Sequence, residues 1–293
     1  MIRRRRRCGP AVVGLALLAA CTAEPPRSAV PDVTVPHADA PGVLPTDDDG
    51  ARVGGIPIGP GTLVDAGGPV MWLGDDAADP ETIEFLTAAF PDTGLWPLYV
   101  DSLAGDEELR PWSNDELYPS GSTDPADHDA AEVLAAWWDS ALAFLDPELQ
   151  VQAVGGRAGE FPGLAPATTG AADAGEPLPE LGPSRLGLIA VTRPADVPAV
   201  LGWTGPANYY GDMGELSAVL RSWEDRFGAS VVEIGFDTLV LDVARPPRDL
   251  TEARAVAAEV FAVCPDVVYS SFGDLDDYAR TLVGERFWPL WWD

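Results

Sequence analysis

The chain has 293 residues, with 18 basic and 47 acidic side chains, a net charge of −29 and no lysine, so every basic side chain is an arginine. With 46% hydrophobic residues and 10 tryptophans it is long and apolar enough to form a packed core, which excludes a wholly disordered protein. The acidity excludes nucleic acid as a partner, because binding to phosphates needs basic patches. The missing lysine excludes a P-loop and Schiff-base catalysis.

The N-terminus has the pattern of a bacterial lipoprotein signal. Arg3 to Arg7 form a cationic segment, residues 11–20 are apolar, and Leu18 to Cys21 give the sequence Leu-Ala-Ala-Cys. The apolar run is about half of the ~20 residues that span a bilayer. We therefore predict that residues 1–20 are a signal peptide and that Cys21 carries lipid, which places the protein on the extracytoplasmic face of the cell membrane. An ordinary secretory peptide that is cleaved further on, and export by either the general or the twin-arginine route, remain alternatives.

Composition divides the rest of the chain into four parts. Residues 21–60 are rich in Pro, Ala, Asp and Gly, which predicts a disordered tether. Residues 61–150 form an N-terminal α/β region, and residues 151–185 form a Gly/Ala/Pro-rich loop or linker. Residues 186–293 form a C-terminal domain.

Apolar periodicity and capping residues predict the elements of the N-terminal region. A strand at 70–73 is followed by a helix capped by Asp79. The strand at 95–100 contains Pro97, which predicts a sheet edge or a bulge. Asp129 caps a second amphipathic helix.

The C-terminal region has sharper patterns. In chain order, they predict a strand at 186–191, a helix from Asp212 to Gly228, a hairpin of 230–234 and 239–243, a helix from Asp249, a strand at 267–269, a helix at 275–282 and an edge strand within 288–293. The order is βαββαβ. It predicts the α+β class, with a mixed, antiparallel-rich sheet and packed helices.

Several motifs of the C-terminal region together resemble the bacterial family called domain of unknown function 4253. They are Gly202-Trp203, Leu220 to Gly228, Ala244-Arg245-Pro246-Pro247, Cys264-Pro265-Asp266 and Trp291-Trp292-Asp293. Thr93 to Pro97 and Arg110 to Trp112 also resemble the segment that precedes this domain in longer members. The resemblance implies a domain boundary and no particular activity.

Few residues could support metal or nucleophilic chemistry. The only histidines are His37, within the predicted tether, and His128, so we predict neither a histidine triad nor a two-histidine metal site, and no cofactor. Cys264 follows an apolar helical pattern, which indicates a buried thiol. Acidic groups at residues 75–81 and 124–129 could bind calcium, but helix capping by Asp79 and Asp129 explains them more simply.

Carboxylates that lie next to tryptophans in the sequence make a glycan hydrolase an alternative function. Asp139 follows two tryptophans, and Glu224 and Asp225 follow Trp223. The simpler interpretation places the tryptophans in the core and these carboxylates on or beside solvated helix faces.

A recognition surface is predicted at Trp203, Asn208, Arg221 and Arg226, because Arg and Trp are common binding anchors. For Arg221, an ion pair with Asp225 at i,i+4 is the alternative. Residues 186–293 hold 8 arginines and 17 acidic residues, so most of the negative charge precedes this domain.

We therefore predict a lipid-anchored binding or interaction module with an unknown protein or glycan partner, rather than an enzyme. A carboxylate-dependent glycan hydrolase and an immunity-type protein that binds a basic toxin are the alternatives.

Overall fold

The computed structural model describes residues 35–46, 51–103, 108–145, 154, 159–169 and 184–293. They all lie in one compact unit, Pro31–Asp293. The strands are β1 Arg52–Val53, β2 Ile56–Pro57, β3 Gly61–Asp65, β4 Pro69–Ala77, β5 Leu95–Val100, β6 Arg185–Ala190, β7 Ala229–Ile234, β8 Thr238–Val243 and β9 Phe287–Trp291. The α-helices are α1 Pro80–Thr93, α2 Ala130–Phe144, α3 Val197–Leu201, α4 Met213–Phe227, α5 Leu250–Val263, α6 Pro265–Ser271 and α7 Leu275–Leu282.

Seven strands form one sheet in the order β3-β4-β6-β5-β7-β8-β9. The pairing is antiparallel except between β5 and β7. Strand β6, from the predicted C-terminal domain, lies between β4 and β5 of the predicted N-terminal region. The predicted α+β class, with an antiparallel-rich sheet and packed helices, is confirmed, and both structured regions contribute strands to the same sheet.

Helices cover the sheet unequally. On one face, α2, α4, α5 and α7 bury the larger apolar core, which includes Trp223, Trp288 and Trp292. On the other face, α1 packs over β4, β5 and β6 and buries a smaller core around Trp72 and Leu188. The tryptophans that the helical patterns placed inward, Trp137 and Trp138 among them, are buried.

Most predicted boundaries agree with the structure because capping residues mark them. Asp79, Asp129, Asp212 and Asp249 each accept a backbone N–H in the first turn of their helix. Gly228 ends α4 in the left-handed region, with φ 66°. Strand β9 lies at the edge of the sheet beside β8, as the sequence predicts.

The prediction of an edge or bulge at Pro97 was wrong, because β5 is an interior strand. Pro97 pairs with Leu188 of β6, whereas pairing with β7 begins only at Tyr99. Next to the proline, the Trp96 indole Nε1–H donates to the Val231 carbonyl of β7 at 2.7 Å. A side-chain donor thus bonds a carbonyl of the neighbouring strand where the proline has no N–H.

The strand predicted at 267–269 is also wrong, since these residues lie in α6. Pro265 begins this helix, and a proline suits the first helical turn because its missing N–H would have no intrahelical partner. Helix start signals therefore outweigh the β-propensity of Val267, Val268 and Tyr269. The βαββαβ order is kept, with β9 as its last strand.

Parts of the predicted tether and linker pack against the domain. Ala38 N donates to Thr192 O at 3.0 Å and Gly42 N to Gly94 O at 2.9 Å. Residues 52–57 form the β1–β2 hairpin, and Val53 and Ile58 are buried in the smaller core. In the linker, Ala165 and Thr168 are buried. The disordered tether and the surface linker therefore do not extend to these residues.

Cys264 is a free, buried cysteine, as predicted, and burial raises the pKa of its thiol. The predicted signal peptide and Cys21 lie outside the described residues. Within the described part of the chain, no helix combines the length and apolar character needed to cross a membrane.

Candidate functional site

The four residues of the predicted recognition surface do not form a common surface. Trp203 is buried, its Nε1–H donates to Gly235 O at 2.9 Å, and its ring meets Trp292 edge to face. Asn208 is exposed, whereas Arg221 and Arg226 are both engaged in ion pairs within the protein. Three of the four side chains therefore support the fold.

Arg226 belongs to a buried network. Its guanidinium donates to both carboxylate oxygens of Glu259, at 2.7 and 2.6 Å. Glu259 has no exposed surface and also accepts from Trp223 Nε1 at 2.7 Å and from Ala165 N at 2.5 Å. The network joins α4, α5 and the linker residue Ala165, so both oxygens of a fully buried carboxylate are satisfied.

Helix α4 makes three further ion pairs with the segment before α3, which helical spacing does not predict. Arg221 forms a bidentate pair with Asp196 at 2.6 and 2.9 Å, so the alternative pairing with Asp225 was wrong. Asp225 instead accepts from Arg193 at 2.6 Å. Arg193 and Asp196 both lie in the segment before α3, so the spacing of residues within α4 could not predict these pairs.

Glu224 also departs from its prediction, because it is buried rather than solvated. It accepts from Arg193 Nε at 2.9 Å and from Ala195 N at 3.2 Å, and it contacts the His37 ring. Burial raises the pKa of Glu224, while Arg193 and His37 oppose that rise. Glu224 therefore holds His37 against the domain, whereas Asp139 is exposed.

The predicted acidic clusters act as helix caps. Asp79 accepts from Thr82 N and Oγ1, which lowers the pKa of Asp79, and Asp124 and Asp129 cap their own turns. Among the described residues, no group of three or more His, Cys, Asp or Glu side chains could hold a metal ion.

A shallow cleft of about 190 Å³ lies beside Asp76, Asp79 and Leu186. It is smaller than the ~300–1,000 Å³ usual for ligand pockets. The hydrogen bonds of Asp79 already serve the cap of α1. The cleft therefore presents one uncommitted carboxylate, that of Asp76, and we do not assign a site to it.

Carboxylates that are distant in sequence meet at another place, the end of the sheet where β5, β7 and β9 finish. We call this group the carboxylate ridge; its members are Asp101, Glu233, Asp237, Asp266 and Asp293. Asp101 follows β5, and its N donates to Ile234 O at 3.0 Å.

Strand β9 brings the other members of the carboxylate ridge together. Trp292 N donates to Asp237 O at 3.0 Å, and Asp293 N donates to the Asp266 carboxylate at 3.1 Å. Burial raises the pKa of Asp237, and Asp293 and Asp101 raise it further. The ridge therefore concentrates negative charge from four separate segments.

Glu233 is the most constrained member of the ridge. It is 9% exposed, and its buried Oε2 atom has no hydrogen-bond partner in the part of the chain that the structure describes. Burial, together with repulsion from Asp101, raises its pKa to about 7. A buried carboxylate without a partner is a recognised mark of a functional position, because it carries an uncompensated desolvation cost.

An aromatic platform adjoins the ridge. Its outer members are Phe144, which is 66% exposed, and Tyr209, with ring centroids 5.6 Å apart. Beneath them, Trp137 stacks on Tyr210 at 3.8 Å. Burial raises the pKa of the Tyr209 hydroxyl, and Asp266 and Asp293 raise it further, so the platform lies next to the ridge.

Among the described residues, no salt bridge joins an arginine to the ridge. The arginine salt bridges are made with other carboxylates, such as Glu116, Asp196 and Glu259. Arg110 lies over the Phe236 ring, but its guanidinium pairs with Glu116 at 2.6 Å. Arg185 begins β6 opposite Val100 at the same end of the sheet and forms no ion pair with the ridge. Asp101 and Asp293 are exposed, so part of the ridge charge is open to solvent.

We expect Glu233→Gln to stabilise the protein at and above neutral pH. The folded-state pKa of about 7 exceeds the ordinary 4.5, so the folded chain binds more protons than the unfolded chain between these values. Glu233 therefore lowers the free energy of unfolding as the pH rises through the range between these two pKa values. The variant should gain on the order of 1–3 kcal/mol at pH 8 and almost nothing at pH 4, which lies below both pKa values.

Urea unfolding at the two pH values measures this difference. Glu84→Gln, which removes the same charge from an exposed position on α1, is the matched control. A gain that is equal at both pH values, or equal in the control, would contradict the role assigned to burial of Glu233.

Residues 185–293 match the family model described as domain of unknown function, DUF4253, which confirms the resemblance of the C-terminal region. No curated protein and no solved structure matches the chain. The segments around Trp96 and Trp112 that also resemble longer members lie outside the matched residues.

Proposed function

We propose that the protein is a lipid-anchored extracytoplasmic binding module whose binding surface consists of the carboxylate ridge and the aromatic platform. The observation that carries the proposal is the junction of five carboxylates, which form no salt bridge among the described residues, with an aromatic platform whose Phe144 ring is exposed. Exposed aromatic side chains commonly anchor protein interfaces. The anchoring rests on the cationic segment, the apolar run and Cys21.

The composition of the surface supports binding rather than catalysis. Phe144 and Tyr209 offer apolar area, and the carboxylates beside them offer charge, which together are features of a recognition surface. The exposed charge also repels the anionic surface of a membrane. A domain held near that membrane would therefore present this face to a soluble partner.

Photo-crosslinking in intact cells tests the proposal on the full chain. We expect p-benzoylphenylalanine in place of Phe144 to give a discrete adduct in the membrane fraction. The same residue in place of Phe85, which is 52% exposed on α1 over the opposite sheet face, should give none. Adducts at both positions or at neither would contradict a specific binding surface.

The lipid anchor is tested in the same cells. With the crosslinker at position 144, the further substitution Cys21→Ala removes the predicted lipid acceptor. We expect the protein and its adduct to leave the membrane fraction. Retention in that fraction would contradict lipidation at Cys21.

A carboxylate-dependent glycan hydrolase is the second candidate, favoured by the proximity of Glu233 and Asp101. Glu233, with a pKa of about 7, has the character of a general acid, and Asp101 supplies a second carboxylate. Release of reducing sugar from cell-wall glycan that is lost in both Glu233→Gln and Asp101→Asn would support this candidate. Turnover that persists in both variants would exclude this pair as its catalytic acids.

A further inference from the structure

The charge on the ridge and the rings beside it restrict the chemistry of the partner. Asp266 and Asp293 are joined by the hydrogen bond from Asp293 N, and the Tyr209 hydroxyl lies near both carboxylates. Phe144 extends the aromatic surface outward and is the most exposed aromatic side chain among the described residues. A group that suits all of these features must carry positive charge and tolerate contact with an aromatic face.

Guanidinium and ammonium groups meet both requirements. They pair with carboxylates, and they are attracted to the face of an aromatic ring by about 0.5–2 kcal/mol, depending on desolvation. Arginine meets them best, because its planar group forms two parallel hydrogen bonds with a carboxylate and stacks on rings.

The length of the ridge favours several cations on one chain over a single small amine. Its carboxylates extend from Asp101 and Glu233 on β5 and β7, through Asp237, to Asp293 and Asp266 beside β9. Among the described residues, the salt bridges of arginines are made with carboxylates outside the ridge.

Glu233 lies at the same end of the sheet but faces the smaller core, because it pairs in register with Tyr99 of β5, which packs there. Its buried Oε2 atom has no donor among the described residues, although most buried carboxylate oxygens have one. Asp101, the charged group that acts on Glu233, is itself a member of the ridge. Because this atom is buried, a partner does not contact it, and Glu233 contributes only charge to the ridge.

We infer that the carboxylate ridge and aromatic platform bind an arginine-rich segment of a partner protein. The inference rests on the proposed binding function and names the partner class for that surface. Arginine side chains of the segment pair with Asp266 and Asp293 and stack on Phe144 and Tyr209. Neutral glycans would gain nothing from the ridge charge, and anionic polymers of the cell envelope would be repelled by it.

Fluorescence anisotropy with two labelled peptides tests the inference on the full chain in detergent. One peptide alternates arginine and glycine, and the other carries citrulline, which is uncharged, in place of each arginine. We expect the arginine peptide to bind and the citrulline peptide to bind at least about tenfold more weakly, with affinity falling as salt is raised.

Paired variants locate the binding. Asp266→Asn with Asp293→Asn should weaken binding of the arginine peptide by about tenfold, and Phe144→Ala should weaken it several-fold at constant net charge. The control, Glu84→Gln with Asp92→Asn, removes the same charge from exposed positions of α1 and should change affinity by less than about twofold. Equal losses in the two double variants, or equal binding of both peptides, would overturn the inference.

The crosslinking experiment separates this inference from the proposed function. An adduct at position 144 without arginine-specific peptide binding leaves a binding surface for a partner of other chemistry, and overturns only the partner class. Absence of both results overturns both proposals. Peptide binding that depends on the ridge, without an adduct in cells, would support recognition of arginine by this surface. It would contradict the presence of a bound partner under those growth conditions.

Discussion

Deletion of Pro289–Asp293 is expected to abolish cooperative folding. The deletion removes most of the edge strand β9, in which Leu290 is 1% exposed, and the following Trp292, which is 2% exposed. Trp292 packs edge to face on Trp203, and its Nε1–H donates to Val263 O at 3.1 Å. Losing one buried aromatic and one buried leucine side chain costs roughly 5–10 kcal/mol in total. That cost is comparable with the whole stability of a typical domain, ~5–15 kcal/mol.

The deletion also leaves polar groups without partners inside the protein. Cys264 Sγ donates to Trp291 O, and Trp292 N donates to Asp237 O. Strand β8 would lose its β9 partners opposite Thr238, Leu239 and Val240, so that the apolar residue Leu239 is uncovered at its β9 side. We therefore expect the shortened chain to expose apolar surface and to aggregate.

Near-ultraviolet circular dichroism and thermal unfolding measure the outcome. The matched control removes Asp293 alone, which is exposed and takes away charge without apolar contacts. The control should unfold cooperatively within a few degrees of the full chain. A five-residue deletion that also unfolds cooperatively would show that β9 covers the core without being required for it.

The elements that the sequence predicted well are those whose determinants are local. Asp79, Asp129, Asp212 and Asp249 lie within three residues of the N–H groups that they accept from. Capping and apolar periodicity depend only on neighbours along the chain, so the helix positions could be inferred without the tertiary structure.

The candidate site could not be predicted because it depends on strand order. Asp101 and Glu233 become neighbours only because β5 pairs with β7, and Asp237 and Asp293 only because β9 pairs with β8. No spacing in the sequence records these pairings. The same cause explains Glu224, whose burial depends on Arg193 and Ala195 rather than on its helix face.

The positions of two aromatic residues were the only feature of the sequence that could have indicated the platform. Tyr209 follows the predicted surface residue Asn208, and Phe144 closes the helix that begins after Asp129. Apolar periodicity assigns such residues to the core by default. Exposure of Phe144 follows from where α2 ends, which its sequence pattern does not fix to a single residue.

Replacing Glu259 with glutamine is expected to destabilise the fold by about 3–5 kcal/mol, because it leaves the Arg226 guanidinium partly buried without its counter-charge. Glu259 is fully buried, and its carboxylate accepts from Arg226, Trp223 and Ala165. Glutamine has the size of glutamate, so the cost measures charge and hydrogen bonding rather than a cavity.

Two further variants identify the source of that cost. Glu252→Gln breaks the exposed i,i+4 pair with Arg248, whose side chain is 60% exposed, and should cost less than about 1 kcal/mol. Glu259→Leu combined with Arg226→Met removes both charges. It should cost less than the sum of the two single substitutions, because neither partner then stays buried and unpaired.

Urea unfolding gives the free energies, and limited proteolysis gives a second measurement. Ala165 is held by Glu259 through its N–H and by Arg226 through its carbonyl, so loss of the network should release residues 159–169 from α4 and α5. We expect cleavage in this segment to become faster in Glu259→Gln and to stay unchanged in Glu252→Gln. Equal protection in both variants would mean that apolar packing of Ala165 holds the segment without the buried ion pair.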